Sequence, residues 1–258
     1  MAFQAELSKQ RCARPFWALW PTERARIILL AGPMSPSASS QLRGRMFSIF
    51  AFAVTLFLWR CAARQSGSLW LLPALALAVP ALILPVIWIG RSSLARNGTA
   101  AHATWVTRLV HFFVMSLMGV ALISAVLAAD MLPWKISFPT RLADFLTTIS
   151  ATAVLFTVLN LAVRGFGAPW AIAISKRLAT DWLYARTRNP MMLCLIIFLG
   201  CLGLGLHSAL FLGWVAAVFV PAMVLFLHFY EERELEVRFG ESYLRYRAVT
   251  PMFLPRLH

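Results

Sequence analysis

The sequence predicts an all-α protein, a polytopic membrane bundle of about six transmembrane helices. Three observations carry this. Of the 258 residues, 60% are hydrophobic and 13% charged, and mean hydropathy is +0.73, whereas soluble domains carry roughly a quarter charged residues. Apolar runs of about 20 residues recur, the length needed to cross a hydrocarbon core of about 30 Å at about 1.5 Å per residue. The basic residues lie between those runs, as orientation signals do.

Taken in order, residues 1–44 form a basic tail with Lys9, Arg11, Arg14, Arg24, Arg26 and Arg43, and Arg45 at its boundary. No cleavable signal is expected, because a long basic stretch precedes the first apolar run. The piece Phe16-Trp17-Ala18-Leu19-Trp20 suits the headgroup level, where tryptophan is favoured; the plainer reading is a loosely ordered cytoplasmic tail.

Residues 45–163 read as a four-span membrane region. The spans are Met46 to Ala63, Leu69 to Gly90, Leu109 to Ala129 and Phe145 to Val163. Pro73, Pro80 and Pro85 each remove a backbone donor from the second span and predict a kink. Thr148, Thr152, Thr157 and Asn160 in the fourth are expected to pack between helices. Residues 164–258 hold a loop, a helical hairpin and a cytoplasmic tail helix. The hairpin is Met191 to Leu206 and Ala209 to Tyr230, joined at His207-Ser208.

Six spans place both termini on one side. Twenty of the 24 lysines and arginines then fall on that side, and Arg60, Lys135, Arg64 and Arg141 on the other. The positive-inside rule makes the richer side cytoplasmic, hence N-in and C-in. A net charge of +14 spread in this way lacks the dense basic face of a nucleic-acid binder. Cys12, Cys61, Cys194 and Cys201 include no CxxC pair, which indicates neither a disulfide framework nor a zinc site. Arginine supplies 21 of the 24 basic residues, a bias of GC-rich coding that points to a bacterium and its inner membrane.

Topology does not explain the acids. Five of the ten, Glu231, Glu232, Glu234, Glu236 and Glu241, crowd behind the last apolar run, and acidic residues contribute little to orientation. The hairpin brings them to the loop Asp181-Trp182-Leu183-Tyr184-Ala185-Arg186-Thr187-Arg188-Asn189-Pro190. Arg188 offers a planar fork for carboxylate or phosphate. Asn189 adds a donor and an acceptor, and Pro190 fits the first turn of a helix. Glu231 and Glu232 suit a cation, an amine or ribose hydroxyls. Tyr184, Trp182, Tyr243 and Tyr246 offer faces for a flat ring or an onium ion. A ligand with a carboxylate, an amine, a ribose, an adenine and a sulfonium uses all of them, and S-adenosylmethionine is such a ligand. His228 reads as an interfacial polar residue, since no further ligands cluster with it for a metal. Arg233, Glu234, Arg238, Glu241 and Arg245 suit a short surface helix with pairs at three and four residues.

The stretch Gly165-Phe166-Gly167-Ala168-Pro169, then Leu183-Tyr184 and Arg188-Asn189-Pro190-Met191, resembles the isoprenylcysteine carboxyl methyltransferase family. So does the segment after the apolar hairpin, with Glu231-Glu232, Leu235, Phe239-Gly240-Glu241, Tyr243, Tyr246 and Pro251. The phospholipid N-methyltransferases share the outline. The resemblance covers residues 165–255 and implies an integral membrane methyltransferase that uses S-adenosylmethionine at the cytoplasmic face. Its lipidic acceptor would come sideways from the bilayer. It implies Arg188, Asn189, Pro190, Glu231 and Glu232 as cofactor-binding residues, with Tyr184 nearby. Tyr243 and Tyr246 complete the expected cofactor set, and Arg188, Glu231 and Glu232 are the expected catalytic residues. The chain departs from the pattern at Trp182-Leu183, where the family has Gly-Pro, at Met192 and Cys194, where it has Tyr and Gly, and at Thr250-Pro251, where it has Val-Pro. These changes bear on the acceptor. That acceptor reads as an isoprenylcysteine carboxylate, with a phospholipid amine or a small thiol as alternatives. The reading from another class is a non-catalytic membrane protein retaining the fold; against a transporter stands the absence of an internal repeat.

Overall fold

The computed structural model describes residues 38–65, 70–165 and 178–254. Those residues form helices and turns, with no strand and one isolated bridge between Lys135 and Ser208. The helices are α1 (Leu42–Ala63), α2 (Leu71–Ala81), α3 (Ile83–Arg96), α4 (Ala100–Leu127), α5 (Thr140–Gly165), α6 (Pro190–Gly205), α7 (Ala209–Phe239) and α8 (Glu241–Val249). Five helical stretches are long and apolar enough to cross a membrane: α1, α2 with α3, α4, α5 and α7. The fifth expected span, α6, has 16 residues, about 24 Å at the α-helical rise, short of a hydrocarbon core of about 30 Å. Ile49, Phe57, Trp88, Phe145 and Val163 face outwards, as lipid-contacting side chains would. Phe16 to Trp20 and Gly167 to Pro169 lie outside the described residues.

The α-helical run of the second expected span is interrupted between α2 and α3, at Leu82. Pro80 cannot donate to the Ala76 carbonyl one turn back, and the indole Nε1 of Trp214 on α7 donates to it instead, at 2.8 Å. The freed carbonyl is thus satisfied by a neighbouring helix, as a proline inside an apolar helix needs.

α4 is the centre of the packing. Val106, Val110, Val114 and Met118 join Phe211, Phe219, Met223, Phe226 and Tyr230 of α7 in one buried cluster with Ile83, Ile87 and Leu94. Beyond the far end of α4, the Ala129 carbonyl accepts from Ser208 Oγ at 2.6 Å, and the His207 carbonyl accepts from the Ile136 amide at 3.0 Å. The α6–α7 turn is therefore clipped to the segment after α4, and the opposite ends of α6 and α7 come together.

Two expectations need correction. Thr148 and Thr152 are exposed and donate to carbonyls of their own helix, while Thr157 and Asn160 are buried. The helix also does not stop at Tyr230. It continues to Phe239 through two π-helical segments, Val215–Phe219 and Leu227–Glu231, so Glu231 and Glu232 lie inside α7. The continuation buries Glu234 and its partner Arg238 rather than leaving them on a surface helix.

Candidate functional site

The loop before α6 is shaped residue by residue. Trp182 opens a 3-10 turn, Trp182–Ala185, at φ +55°, a left-handed conformation that costs a bulky residue and suits glycine. Thr187 is buried and donates to the Met252 carbonyl at 2.9 Å. The Arg188 amide donates to the Pro251 carbonyl at 2.9 Å, and Asn189 Nδ2 donates to the Met252 carbonyl at 3.3 Å. Pro190 takes the first turn of α6, where its missing N–H costs nothing. Asn189 and Pro190 thus hold the backbone in place and deliver the next group.

That group is the Arg188 guanidinium. Its Nη1 sits 2.8 Å from Glu232 Oε1, with both side chains nearly nine-tenths buried, and 3.4 Å from the Tyr243 hydroxyl. Its Nε is buried without a partner. Glu232 Oε2 lies 3.6 Å from His228 Nδ1 and from Arg247 Nη1, so His228 joins the acidic cluster from the helix turn before it.

α8 closes one side. Gly240, at φ +52°, makes the corner between α7 and α8 and lets α8 fold back onto the loop. The Tyr246 hydroxyl donates to the Tyr184 carbonyl at 2.6 Å, and the Tyr243 ring lies 6.0 Å from the Arg247 guanidinium. Burial raises all three phenols: Tyr243 is pushed up to about 12 by burial and then by the Glu232 charge. Tyr184 and Tyr246 shift the same way, chiefly through burial. All three are therefore hydroxyl donors at neutral pH.

The acids divide unevenly. Glu232 holds Arg188, Glu234 holds Arg238 at 2.7 Å, and Glu236 takes both Arg233 and Arg247. Among the described residues Glu231 makes no hydrogen bond or ion pair, although Glu234, Glu232 and Arg238 lie within electrostatic reach. Its phase on the helix is set by the π segment that ends at this residue, since a π turn inserts one residue and rotates the helix beyond it.

Beneath the cluster lies a group that sequence reasoning did not find. Tyr230 is fully buried, and its hydroxyl is 3.1 Å from Thr107 Oγ1. Its ring occupies the space left by Gly90, where a Cβ would come 2.7 Å from the ring. Arg91 Nη1 donates to the Phe229 carbonyl at 3.1 Å, inside the π segment. Tyr230 is one of four tyrosines in the chain and stands where the apolar run meets the acids, a position that could have marked it. The Glu234–Arg238 spacing was visible as well, but its burial depends on α4.

The structure therefore brings Arg188, Glu232 and Tyr243 into contact and joins Tyr184 to Tyr246, while Glu231, within electrostatic reach of Tyr184 and Tyr243, makes no hydrogen bond or ion pair among the described residues. Asn189 and Pro190 are turned to backbone work. Among the described residues no group of histidine, cysteine and acid could hold a metal. No family model matches the chain, and no curated protein or solved structure matches it either.

Proposed function

We propose that the chain is an integral membrane methyltransferase that uses S-adenosylmethionine and acts on a hydrophobic acceptor of the isoprenylcysteine carboxylate kind. The observation that carries the reading is the pairing pattern at this end of α7: Glu231 makes no ion pair among the described residues, while Arg188, held by Glu232, keeps a buried Nε without a partner. A ligand with both a cationic centre and a carboxylate satisfies both groups, so the residues fit this methyl donor. When bound, the donor supplies an electrophilic methyl group.

The chain's own residues then have separate tasks. Arg188, braced by Glu232, offers donors to a carboxylate. Glu231 meets the positive charge or ribose hydroxyls. Tyr184, Tyr243 and Tyr246 give aromatic faces, with Asn189 and Pro190 setting the loop. An acceptor carboxylate needs no general base, so the protein contributes orientation and exclusion of water. The unpaired Glu231 favours one second reading: a phospholipid amine acceptor, whose proton Glu231 would take.

An apolar cavity of about 180 Å³ between the α2–α3 break and α7, lined among others by Leu77, Pro80, Ile83, Ala217, Val218 and Leu225, suits a hydrocarbon chain. Leu225 precedes Glu231 by six residues, about 9 Å along a helix. In this reading the chain crosses the bacterial inner membrane six times, α6 being the short crossing, with both termini and the site on the cytoplasmic side. The test is calorimetric binding of S-adenosylmethionine to the detergent-purified protein, beside Glu231→Gln and Arg188→Ala. Binding that both variants weaken supports the proposal; no binding by the unmutated protein returns the chain to the non-catalytic membrane class. Labelled methyl transfer to lipid extracts then identifies the acceptor.

A further inference from the structure

α1 meets α4 along a seam that ends in a second concentration of positive charge, remote from Glu231 in the sequence and unused by the proposed chemistry. Thr55 Oγ1 and Ser116 Oγ, 2.8 Å apart, pin the middle of this seam. Trp59 fills the space opposite Gly119, and Phe47 meets Trp105 edge-on at 5.9 Å between ring centroids. At the end lies Arg108, two turns into α4. Its guanidinium lies against Gly44 of α1 so closely that any Cβ there would overlap it, and 5.5 Å from the Trp105 ring.

Among the described residues Arg108 has no counter-ion and makes no hydrogen bond, and its Nε is buried without a partner. Arg43 and Arg45 flank Gly44 on α1, both exposed, and add like charge rather than neutralise it. Met46, Trp105 and Leu109 around them are exposed as well, so the face is one that hydrocarbon would cover. An arginine at the edge of an apolar span, with a buried Nε and no partner among the described residues, is costly unless a ligand meets it. Guanidinium donors match phosphate oxygens in geometry and charge.

We infer that Arg108, with Arg43 and Arg45, forms a binding site for the phosphate of an anionic membrane lipid lodged between α1 and α4. Gly44 is the residue that makes room for the Arg108 guanidinium. The lipid source is indicated by the placement, since a phosphate here is flanked by lipid-facing side chains. Such a headgroup would bridge two helices whose seam is otherwise held by small polar and aromatic contacts. The inference is independent of the methyltransferase reading.

The test is native mass spectrometry of the full-length protein in detergent, titrated separately with phosphatidylglycerol, phosphatidylcholine and inorganic phosphate. The unmutated protein is expected to retain phosphatidylglycerol at least about tenfold better than phosphatidylcholine, in line with the attraction of basic residues to anionic lipid. Arg108→Gln is expected to reduce that retention about fivefold or more, the equivalent of one basic contact. Arg108→Lys keeps the charge needed in the span but loses the fork, and is expected to fall between the two. Equal retention of the two lipids by the unmutated protein overturns the inference without any variant. So does retention unchanged in both Arg108 variants, or displacement of phosphatidylglycerol by equimolar inorganic phosphate, which would assign a free anion instead.

Discussion

Arg188 Nη1 and Glu232 Oε1 stand 2.8 Å apart although 44 positions separate them in the chain, and both side chains are nearly nine-tenths buried. The pair ties the loop before α6 to the last turns of α7, across the whole length of the hairpin. It closes a contact that the clip at His207-Ser208 prepares at the far end.

Removing one partner should leave a buried charge. Arg188→Ala is expected to cost about 3 kcal/mol, as broken buried pairs do; His228 and Arg247, each 3.6 Å from Glu232, hold the loss near the lower end. Replacing both partners, Arg188→Met with Glu232→Leu, should recover most of it. Thermal unfolding in detergent measures both, and a double variant no better than the single one contradicts a direct pair.

Glu231→Gln removes no ion pair, so its unfolding temperature should not fall. Affinity for S-adenosylmethionine should nevertheless weaken at least about tenfold, roughly 1.4 kcal/mol. Loss of stability with unchanged affinity would assign Glu231 to the scaffold.

Gly90→Ala places a Cβ 2.7 Å from both the Tyr230 ring and Val110 Cγ2. Overpacking of this kind costs about 1–3 kcal/mol. The same substitution at Gly213, where a Cβ meets nothing within 4 Å, is the control and should leave unfolding unchanged or slightly improved.

The phenols set an alkaline limit. Tyr243 is pushed up to about 12 by burial, whereas an unfolded tyrosine titrates near 10. Between pH 10 and about 12 the unfolded chain binds fewer protons than the folded one, so stability falls as pH rises through that window; Tyr184 and Tyr246, shifted the same way, steepen the fall. Ultraviolet titration should show these phenolates appearing together with unfolding. Ionisation near pH 10 with the fold intact would show the tyrosines to be solvated.

Composition and spacing alone determined that the chain is helical and apolar enough to cross a membrane, because span length and charge exclusion are dictated by the bilayer's thickness and dielectric. The polar ends of one hairpin were legible too: a two-residue link leaves antiparallel neighbours no other arrangement. Nothing in the local sequence marks Trp182 for a left-handed conformation; its positive φ is visible only in the structure. What the tertiary structure decided is which acid is bound and which is free. Glu231 and Glu232 are adjacent and chemically alike. The π segment at Leu227–Glu231 sets their phase, and Arg188 arrives at only one of them. That choice depends on contacts made across the fold, which the local pattern of one stretch of sequence does not encode.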